Sequence, residues 1–268
     1  MKLPRTLRLD PSDTFVFAKA AEAGEWAVSG SFMFFDTDLD ALATKERAAL
    51  RAGFLGLSSF GWSTLCVVTP VTEGERAVAV ESLAHFIRDF IDHKGYGKVN
   101  LLGNSLGGHV ALVYCKEHPE RVNSLTLTAS SGLYENAFGS SFPRREDKEF
   151  IRQKVGLTFF DPKHATDELV DECFEIVNDR NRVLRILALA KSAIRHNMAK
   201  ELPAMKFPVC LIWGKNDTIT PPEVAEEFHQ LLTNSSLYWI DECGHAPMME
   251  HPQRFNELLD AWMKEKGI

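Results

Sequence analysis

Residues 98–108 read KVNLLGNSLGG, and this stretch decides the fold. A short apolar run of strand type ends at Gly103, and a segment with helical apolar spacing begins at Leu106. The pattern G-x-S-x-G lies between them, with Ser105 at its centre. In this strand, turn and helix context the pattern predicts a sharp turn that exposes the serine hydroxyl at the end of the strand. The alternative is a Gly-Ser turn without a catalytic role, which would be typical of the motif in an isolated loop.

Strands and helices alternate from this motif to the end of the chain. The apolar patterns predict strands over 98–102, 122–128, 208–213 and 237–240 and helices over 106–117, 220–232 and 252–266. Thr220-Pro221-Pro222-Glu223 has the sequence of a capping box with proline at the first helical position. The alternation predicts an α/β fold with a mostly parallel sheet and helices on both faces.

The stretch from about 132 to 202 interrupts the alternation. It predicts helices over 146–155, 166–177 and 181–196, and the third places Val183, Leu187, Ala190 and Ile194 on one stripe. An all-helical insertion between two strands indicates a cap over the carboxyl edge of the sheet. The alternative is an additional helical layer that contacts no ligand.

The first part of the chain has a different pattern. Residues 14–17, 25–35 and 65–69 have the pattern of strands, and residues 40–52 and 76–93 have that of helices. We therefore divide the chain into an atypical α+β segment over 1–84, an α/β core over 85–131 and 203–268, and a helical cap over 132–202. The first segment could complete the sheet of the core.

Two later residues could activate Ser105. Asp217 follows the strand 208–213, and His245 follows the strand 237–240. A serine hydroxyl needs a base to become nucleophilic, and the base needs an acid to orient it. All three residues are predicted at the carboxyl edge of a parallel sheet, where open α/β folds bind ligands. Asp217 could instead cap a turn and His245 could be a loop residue, but their order and placement favour a catalytic triad.

With these motifs in place, residues from about 84 to 268 resemble the α/β-hydrolase superfamily with a helical cap. The resemblance is carried by the serine turn, by WGKND ending at Asp217, and by GHAPMMEHP, which contains His245. It implies that Ser105 is the nucleophile, His245 the general base and then acid, and Asp217 the orienting carboxylate. It also implies that the backbone N–H of Leu106 is one donor of the oxyanion hole.

The substrate class is less defined. GNSLGG is similar to the nucleophile turn of carbon–carbon bond hydrolases of aromatic degradation, but those enzymes usually carry tryptophan directly after the catalytic histidine, where this chain has Ala246. The expected function is cleavage of a small carboxylic ester by a serine hydrolase. A carbon–carbon bond hydrolase is one alternative. The other is a weak or inactive binding protein that keeps the fold.

The second alternative follows from the position of the histidines. The superfamily normally has a His-Gly pair after an early strand, which supplies the second oxyanion N–H, but all nine histidines lie between 85 and 251. Ser29-Gly30 follows a strand pattern and could replace the pair, whereas the glycine-rich 53–56 follows a helix pattern and is placed less well. Residues 1–84, through LRLDPSDTFVF, GEWAVSG and GFLGLSSFGWST, resemble a small bacterial domain family of unknown function.

Composition narrows the remaining classes of function. The chain has 268 residues, 45% of them hydrophobic, with a formal net charge of −7. The charge and the absence of a basic patch argue against nucleic-acid binding, and no window reaches the ~18 apolar residues of a membrane span. Five scattered cysteines and a start without an apolar core indicate a reducing, cytoplasmic setting. No metal or cofactor is expected, and the sequence does not indicate the oligomeric state.

Overall fold

The computed structural model describes residues 14–20, 27–31, 65–67, 79–94, 96–135 and 144–268. In these residues one sheet contains seven strands. The strands are β1 (Thr14–Ala20), β2 (Ala27–Ser31), β3 (Leu65–Val67), β4 (Val99–Asn104), β5 (Val122–Thr128), β6 (Val209–Gly214) and β7 (Ser235–Ile240). The helix predicted over 40–52 lies outside the described residues.

The strand order is β3-β1-β2-β4-β5-β6-β7. Strands β2, β4, β5, β6 and β7 are parallel, whereas β1 pairs antiparallel with β2, β3 and β4. The strands of the first part therefore belong to the same sheet as the strands of the core. The sequence predicted the parallel part of the sheet, and the structure confirms the α/β fold class.

Helices flank the central strands. They are α1 (Val80–Lys94) and α2 (Leu106–Glu117) before the insertion and α6 (Pro222–Leu231), α7 (Pro247–Glu250) and α8 (Pro252–Lys266) after it. The apolar side chains of β4, β5 and β6 are buried, as expected for strands covered on both faces. The core includes Trp213 of β6, Phe228 of α6 and Trp262 of α8, each almost completely buried.

The insertion contains helices α3 (Lys148–Gly156), α4 (Asp167–Asn178) and α5 (Arg180–Arg195), close to the three predicted ranges. Asp147 and Thr166 cap the first two of these helices through their side chains. The stripe predicted on the third is only partly correct, because Val183 is buried whereas Ile194 is 53% exposed. Among the described helices, none combines the length and apolar character required to cross a bilayer.

Candidate active site

The turn between β4 and α2 has the geometry of a nucleophile elbow. Ser105 has φ 51° and ψ −123°, a left-handed conformation that is costly for a residue with a side chain. A Cβ on Gly103 would lie 2.5 Å from the backbone of Gly108, so only glycine allows the strand and helix to approach this closely. The sequence predicted this geometry from G-x-S-x-G.

Other strained residues lie at the same edge of the sheet. In the described parts of the chain, the non-glycine residues with positive φ are Ser105, Ala129 and Glu242. Ser105 directly follows β4, Ala129 directly follows β5, and Glu242 lies two residues beyond β7. Strained backbone concentrates at functional sites, where the surrounding structure holds it in place. The carboxyl edge of the sheet is therefore the candidate active site.

The carboxylate of Asp217 is buried and held by its own turn. Its Oδ1 accepts hydrogen bonds from the backbone N–H groups of Ile219 (2.8 Å) and Thr220 (3.0 Å). Its Oδ2 accepts a hydrogen bond from the Thr220 hydroxyl at 2.8 Å. The predicted capping box is therefore wrong: Thr220 does not cap α6, which begins after Pro221 without a side-chain cap. The Thr220 hydroxyl donates to the Asp217 carboxylate instead.

His245 is buried beside this carboxylate. Its Nδ1 lies 2.9 Å from Asp217 Oδ2. We assign the proton to Nδ1, because the carboxylate can only accept; Nε2 then carries the lone pair that a general base requires. The backbone of His245 is fixed on both sides, since its N–H donates to the Thr158 carbonyl (2.8 Å) and its carbonyl accepts from Asn104 Nδ2 (3.2 Å).

The structure thus brings Asp217 and His245 into contact and places Ser105 at the same edge of the sheet. Asn104 directly precedes Ser105 and connects the elbow to the loop that contains His245, because its side-chain amide donates to the His245 carbonyl. The same amide also donates to the Thr128 carbonyl at 3.0 Å. The hydrogen bonds of the described residues do not include one between Ser105 Oγ and His245. Catalytic hydrogen bonds are often long in unliganded enzymes and tighten when substrate binds.

The two expected oxyanion donors, Leu106 and Gly30, lie near Ser105 in the chain or in the sheet. Leu106 is the first residue of α2, whose first N–H groups have no acceptor within the helix. The N–H groups of Gly108 and His109 are used, because both donate to the Ser105 carbonyl. Gly30 lies within β2 and not after it, so that part of the expectation is wrong; it is in register with Asn104 of β4, the residue before Ser105. The alternative glycine-rich segment 53–56 lies outside the described residues.

Two acidic residues near the site had no signal in the sequence. Glu250 accepts a hydrogen bond from the backbone N–H of Gly244, the residue before His245, at 2.6 Å. Glu135 lies after β5 at the start of the insertion; burial raises the pKa of its carboxyl, and electrostatic attraction to His245 opposes this rise. The interaction of Glu135 with His245 joins segments far apart in the chain, whereas the contact of Glu250 with Gly244 is local.

Other titratable groups do not form a metal site within the described residues, where no three His, Cys, Asp or Glu side chains are grouped to hold an ion. Cys115, Cys173, Cys210 and Cys243 are free and buried. Burial raises the pKa of the Cys243 thiol, which therefore stays protonated beside the active site. His109, one turn beyond Ser105, packs against His196 instead of lining the triad.

The chain matches the profiles of known families. The profile of the family described as alpha/beta hydrolase fold matches residues 55–175 and 166–252. The chain belongs to the α/β-hydrolase fold family. A second profile, described as a family of unknown function (DUF6505), matches residues 1–98 of this hydrolase. Both resemblances expected from the sequence are thereby confirmed.

Individual relatives of this hydrolase differ in their named activities. A solved α/β hydrolase enzyme from a sediment metagenome of the Mar Chica lagoon, Morocco, is 44% identical, with a TM-score of 0.64 over 81% of this chain and 86% of that chain. A 2-hydroxy-6-oxononadienedioate/2-hydroxy-6-oxononatrienedioate hydrolase of Pseudomonas sp is 25% identical over 72% of this chain and 70% of its own length. A monoacylglycerol lipase of Bos taurus is 24% identical over 73% of this chain and 65% of its own length.

These matches span about two thirds of the curated relatives, from 65% to 72% of their lengths among the first four. They agree with the fold and with the class of enzyme, an α/β hydrolase. Their names include both lipases and dienedioate hydrolases, so they do not define one substrate for this hydrolase.

Proposed function

We propose that the protein is a serine hydrolase that cleaves a small carboxylic ester through an acyl-enzyme intermediate. The observation that carries the proposal is the buried 2.9 Å contact between His245 Nδ1 and Asp217 Oδ2, at the sheet edge where Ser105 occupies a strained elbow. An imidazole whose Nδ1 faces a buried carboxylate, at the same sheet edge as a serine held at the end of a strand, is the arrangement that nucleophilic acyl transfer requires.

The reaction proceeds in two halves. His245 Nε2 takes the Ser105 proton as Oγ attacks the carbonyl carbon, and the tetrahedral intermediate then collapses as His245 gives that proton to the departing alcohol. In the second half His245 takes a proton from water, whose oxygen attacks the acyl carbon, and the acid leaves as Ser105 Oγ is protonated again. Asp217 stabilises the imidazolium that forms in each half.

The oxyanion of each tetrahedral intermediate needs preorganised donors. We assign the N–H of Leu106 to this role and, for the second donor, a backbone N–H at or near Gly30, whose strand lies directly beside β4. Loss of one oxyanion donor costs about 10²–10³ in rate in a well-studied protease. Gly30 would therefore allow residues of the first part of the chain to replace the missing His-Gly pair.

A fluorophosphonate probe and p-nitrophenyl acetate test this proposal together. The probe should label the protein at Ser105, and Ser105→Ala should abolish both label and turnover. His245→Ala should reduce turnover by several orders of magnitude, whereas the matched control His229→Ala, at an exposed histidine of α6, should leave it unchanged. Label that persists in Ser105→Ala would overturn the assignment of the nucleophile.

A carbon–carbon bond hydrolase is the second candidate function. It is supported by the GNSLGG turn and by the relative of Pseudomonas sp, which is named as a dienedioate hydrolase. Turnover of a 2-hydroxy-6-oxo-dienoate, compared with p-nitrophenyl esters by kcat/KM, separates the two activities. A higher kcat/KM for the dienoate would make it the proposed substrate instead of the ester, with Ser105 and His245 in the same roles.

The same experiments test the alternative of an inactive binding protein. A folded protein that neither reacts with the probe nor turns over either substrate class would favour that alternative. The cysteines whose side chains the structure describes are free and buried, which supports the proposal of a reducing, cytoplasmic compartment.

A further inference from the structure

Glu250, the last residue of α7, is a carboxylate with three backbone donors and an exposure of only 8%. Oε1 accepts from the N–H of Gly244 at 2.6 Å. Oε2 accepts from the N–H groups of Phe160 (2.7 Å) and Asp161 (3.3 Å), which belong to the insertion. A buried carboxylate is costly unless it is hydrogen-bonded on both oxygens, and here each oxygen serves a different segment of the chain.

The segment that donates to Glu250 Oε2 is the turn over residues 157–161, which we call the brace. The brace contacts both loops of the proposed triad. The Thr158 carbonyl accepts the N–H of His245 at 2.8 Å, and the Leu157 carbonyl accepts the hydroxyl of Thr218, the residue after Asp217, at 3.3 Å. The position of the proposed catalytic loops is therefore coupled to the insertion through one backbone hydrogen bond and one hydrogen bond from a side-chain hydroxyl.

Packing between the brace and the histidine loop leaves no space for adjustment. A Cβ built on Gly244 would lie 2.8 Å from the Thr158 carbonyl oxygen and 2.9 Å from the Phe160 nitrogen. On the other side, a Cβ on Gly214, at the end of β6, would lie 2.2 Å from the Gly244 carbonyl oxygen. Gly244 is thus held between β6 and the brace, and Glu250 fastens it there.

We propose that Glu250 is a positioning residue for His245, because its carboxylate fastens the backbone before the imidazole to the brace and so fixes the direction of Nε2. The effect of Glu250 on catalysis rests on the proposed function, but its effect on the position of His245 does not. Glu250 does not touch the reacting atoms. It acts through Gly244 on one side and through the brace on the other.

The two oxygens explain why a carboxylate fits this position. Glutamine has the same size but presents one oxygen and one NH₂ group. In Glu250→Gln the NH₂ group would face the backbone N–H of either Gly244 or Phe160. The hydrogen bond to that N–H is then lost, while the volume of the side chain is retained. We therefore expect the histidine loop to separate locally from the brace without loss of the surrounding core.

The decisive experiment observes His245 directly by NMR, in the full chain and without substrate. The proton on Nδ1, shared with Asp217, gives a downfield resonance that is assigned by its loss in His245→Ala. In Glu250→Gln we expect this resonance to broaden or disappear, and the amide protons of Gly244 and Phe160 to exchange with solvent at least tenfold faster.

Two control variants separate positioning from general stabilisation. Glu257→Gln changes an exposed glutamate of α8 that pairs with Arg254 at 3.5 Å, and it should leave the resonance unchanged. Leu259→Ala removes a buried side chain of the same helix and should lower the melting temperature without moving the resonance. If Glu250→Gln lowers the melting temperature as Leu259→Ala does but leaves the His245 resonance and the exchange of the Gly244 and Phe160 amides unchanged, the proposal is overturned.

The outcomes also distinguish this proposal from the proposed function. In an active enzyme, Glu250→Gln should lower kcat at least tenfold and shift its pH profile with little change in KM. If the chain is inert toward fluorophosphonate and esters but the resonance responds to Glu250→Gln, positioning stands and the proposed function fails. If Glu250→Gln does not fold, Glu250→Asp, which keeps both oxygens on a shorter side chain, should give the same changes to a smaller extent, and an unchanged resonance there would overturn the proposal.

Discussion

His109 should make the stability of this protein fall below neutral pH. The side chain is fully buried on α2, and its Nε2 lies 2.9 Å from Nδ1 of His196 at the end of the insertion. Its Nδ1 is buried without a partner. Burial, followed by the neighbouring His196, lowers the pKa of His109 from 6.5 to about 3. We assign the Nε2 proton to the bond with His196, because the opposite tautomer would bury an N–H at Nδ1 without an acceptor.

The sign and size of the effect follow from linkage. The unfolded chain binds a proton at His109 near pH 6.5, whereas the folded chain does so only near pH 3. The contribution of neutral His109 to the free energy of unfolding is therefore fully present above pH 6.5 and is lost as the pH falls toward 3. Between pH 7.5 and pH 5 this single group should remove about 2 kcal/mol from the free energy of unfolding. That is a substantial part of the roughly 5–15 kcal/mol typical of a folded protein.

Urea unfolding at several pH values measures this loss. His109→Gln cannot titrate but can still donate to His196, and its free energy of unfolding should fall by about 2 kcal/mol less than that of the parent chain between pH 7.5 and pH 5. The same substitution at exposed His229 is the control for the removal of a histidine as such. A difference below about 0.5 kcal/mol between His109→Gln and the parent chain, at equal m values, would refute the reasoning.

Three further predictions concern close contacts around the proposed site. Gly103→Ala should destabilise the fold by more than about 4 kcal/mol or prevent folding, seen as a loss of soluble protein, because the new Cβ would lie 2.5 Å from the Gly108 backbone. Gly214→Ala should displace the carbonyl of Gly244, 2.2 Å from the new Cβ, and lower both melting temperature and kcat. Thr220→Val should lower kcat about tenfold by removing the 2.8 Å bond to the proposed triad carboxylate, corresponding to roughly 1.4 kcal/mol, whereas Thr220→Ser should retain activity.

The elements around the elbow could be predicted because their signals are local. G-x-S-x-G between an apolar strand pattern and a helical pattern defines the turn at Ser105 within a few residues of sequence. Asp217 and His245 follow strands of the same sheet, and parallel strands bring their carboxyl ends to one edge. Order and topology together therefore predicted the edge of the sheet at which these three residues lie.

Contacts between distant segments could not be predicted in this way. Glu250 meets Phe160 across 90 positions of sequence, and no periodicity reports such a pair. The capping box at Thr220 shows the related error, because a local motif was assigned its local partner while the hydroxyl had a stronger acceptor in Asp217. The antiparallel pairing of β1 was also absent from the sequence pattern, since alternation of apolar residues does not specify the neighbour of a strand.

The pairing of β4 has a consequence for attempts to shorten the protein. On the side away from β5, its backbone pairs with β1 and β2, both from the part of the chain that matches the second family. Removing that part would leave β4, which carries the buried residues Val99, Leu101 and Leu102, as an open edge strand. Exposed apolar edges recruit strands from other molecules. A truncated hydrolase core should therefore self-associate, and the first segment should be needed for solubility as well as for the proposed oxyanion donor near Gly30.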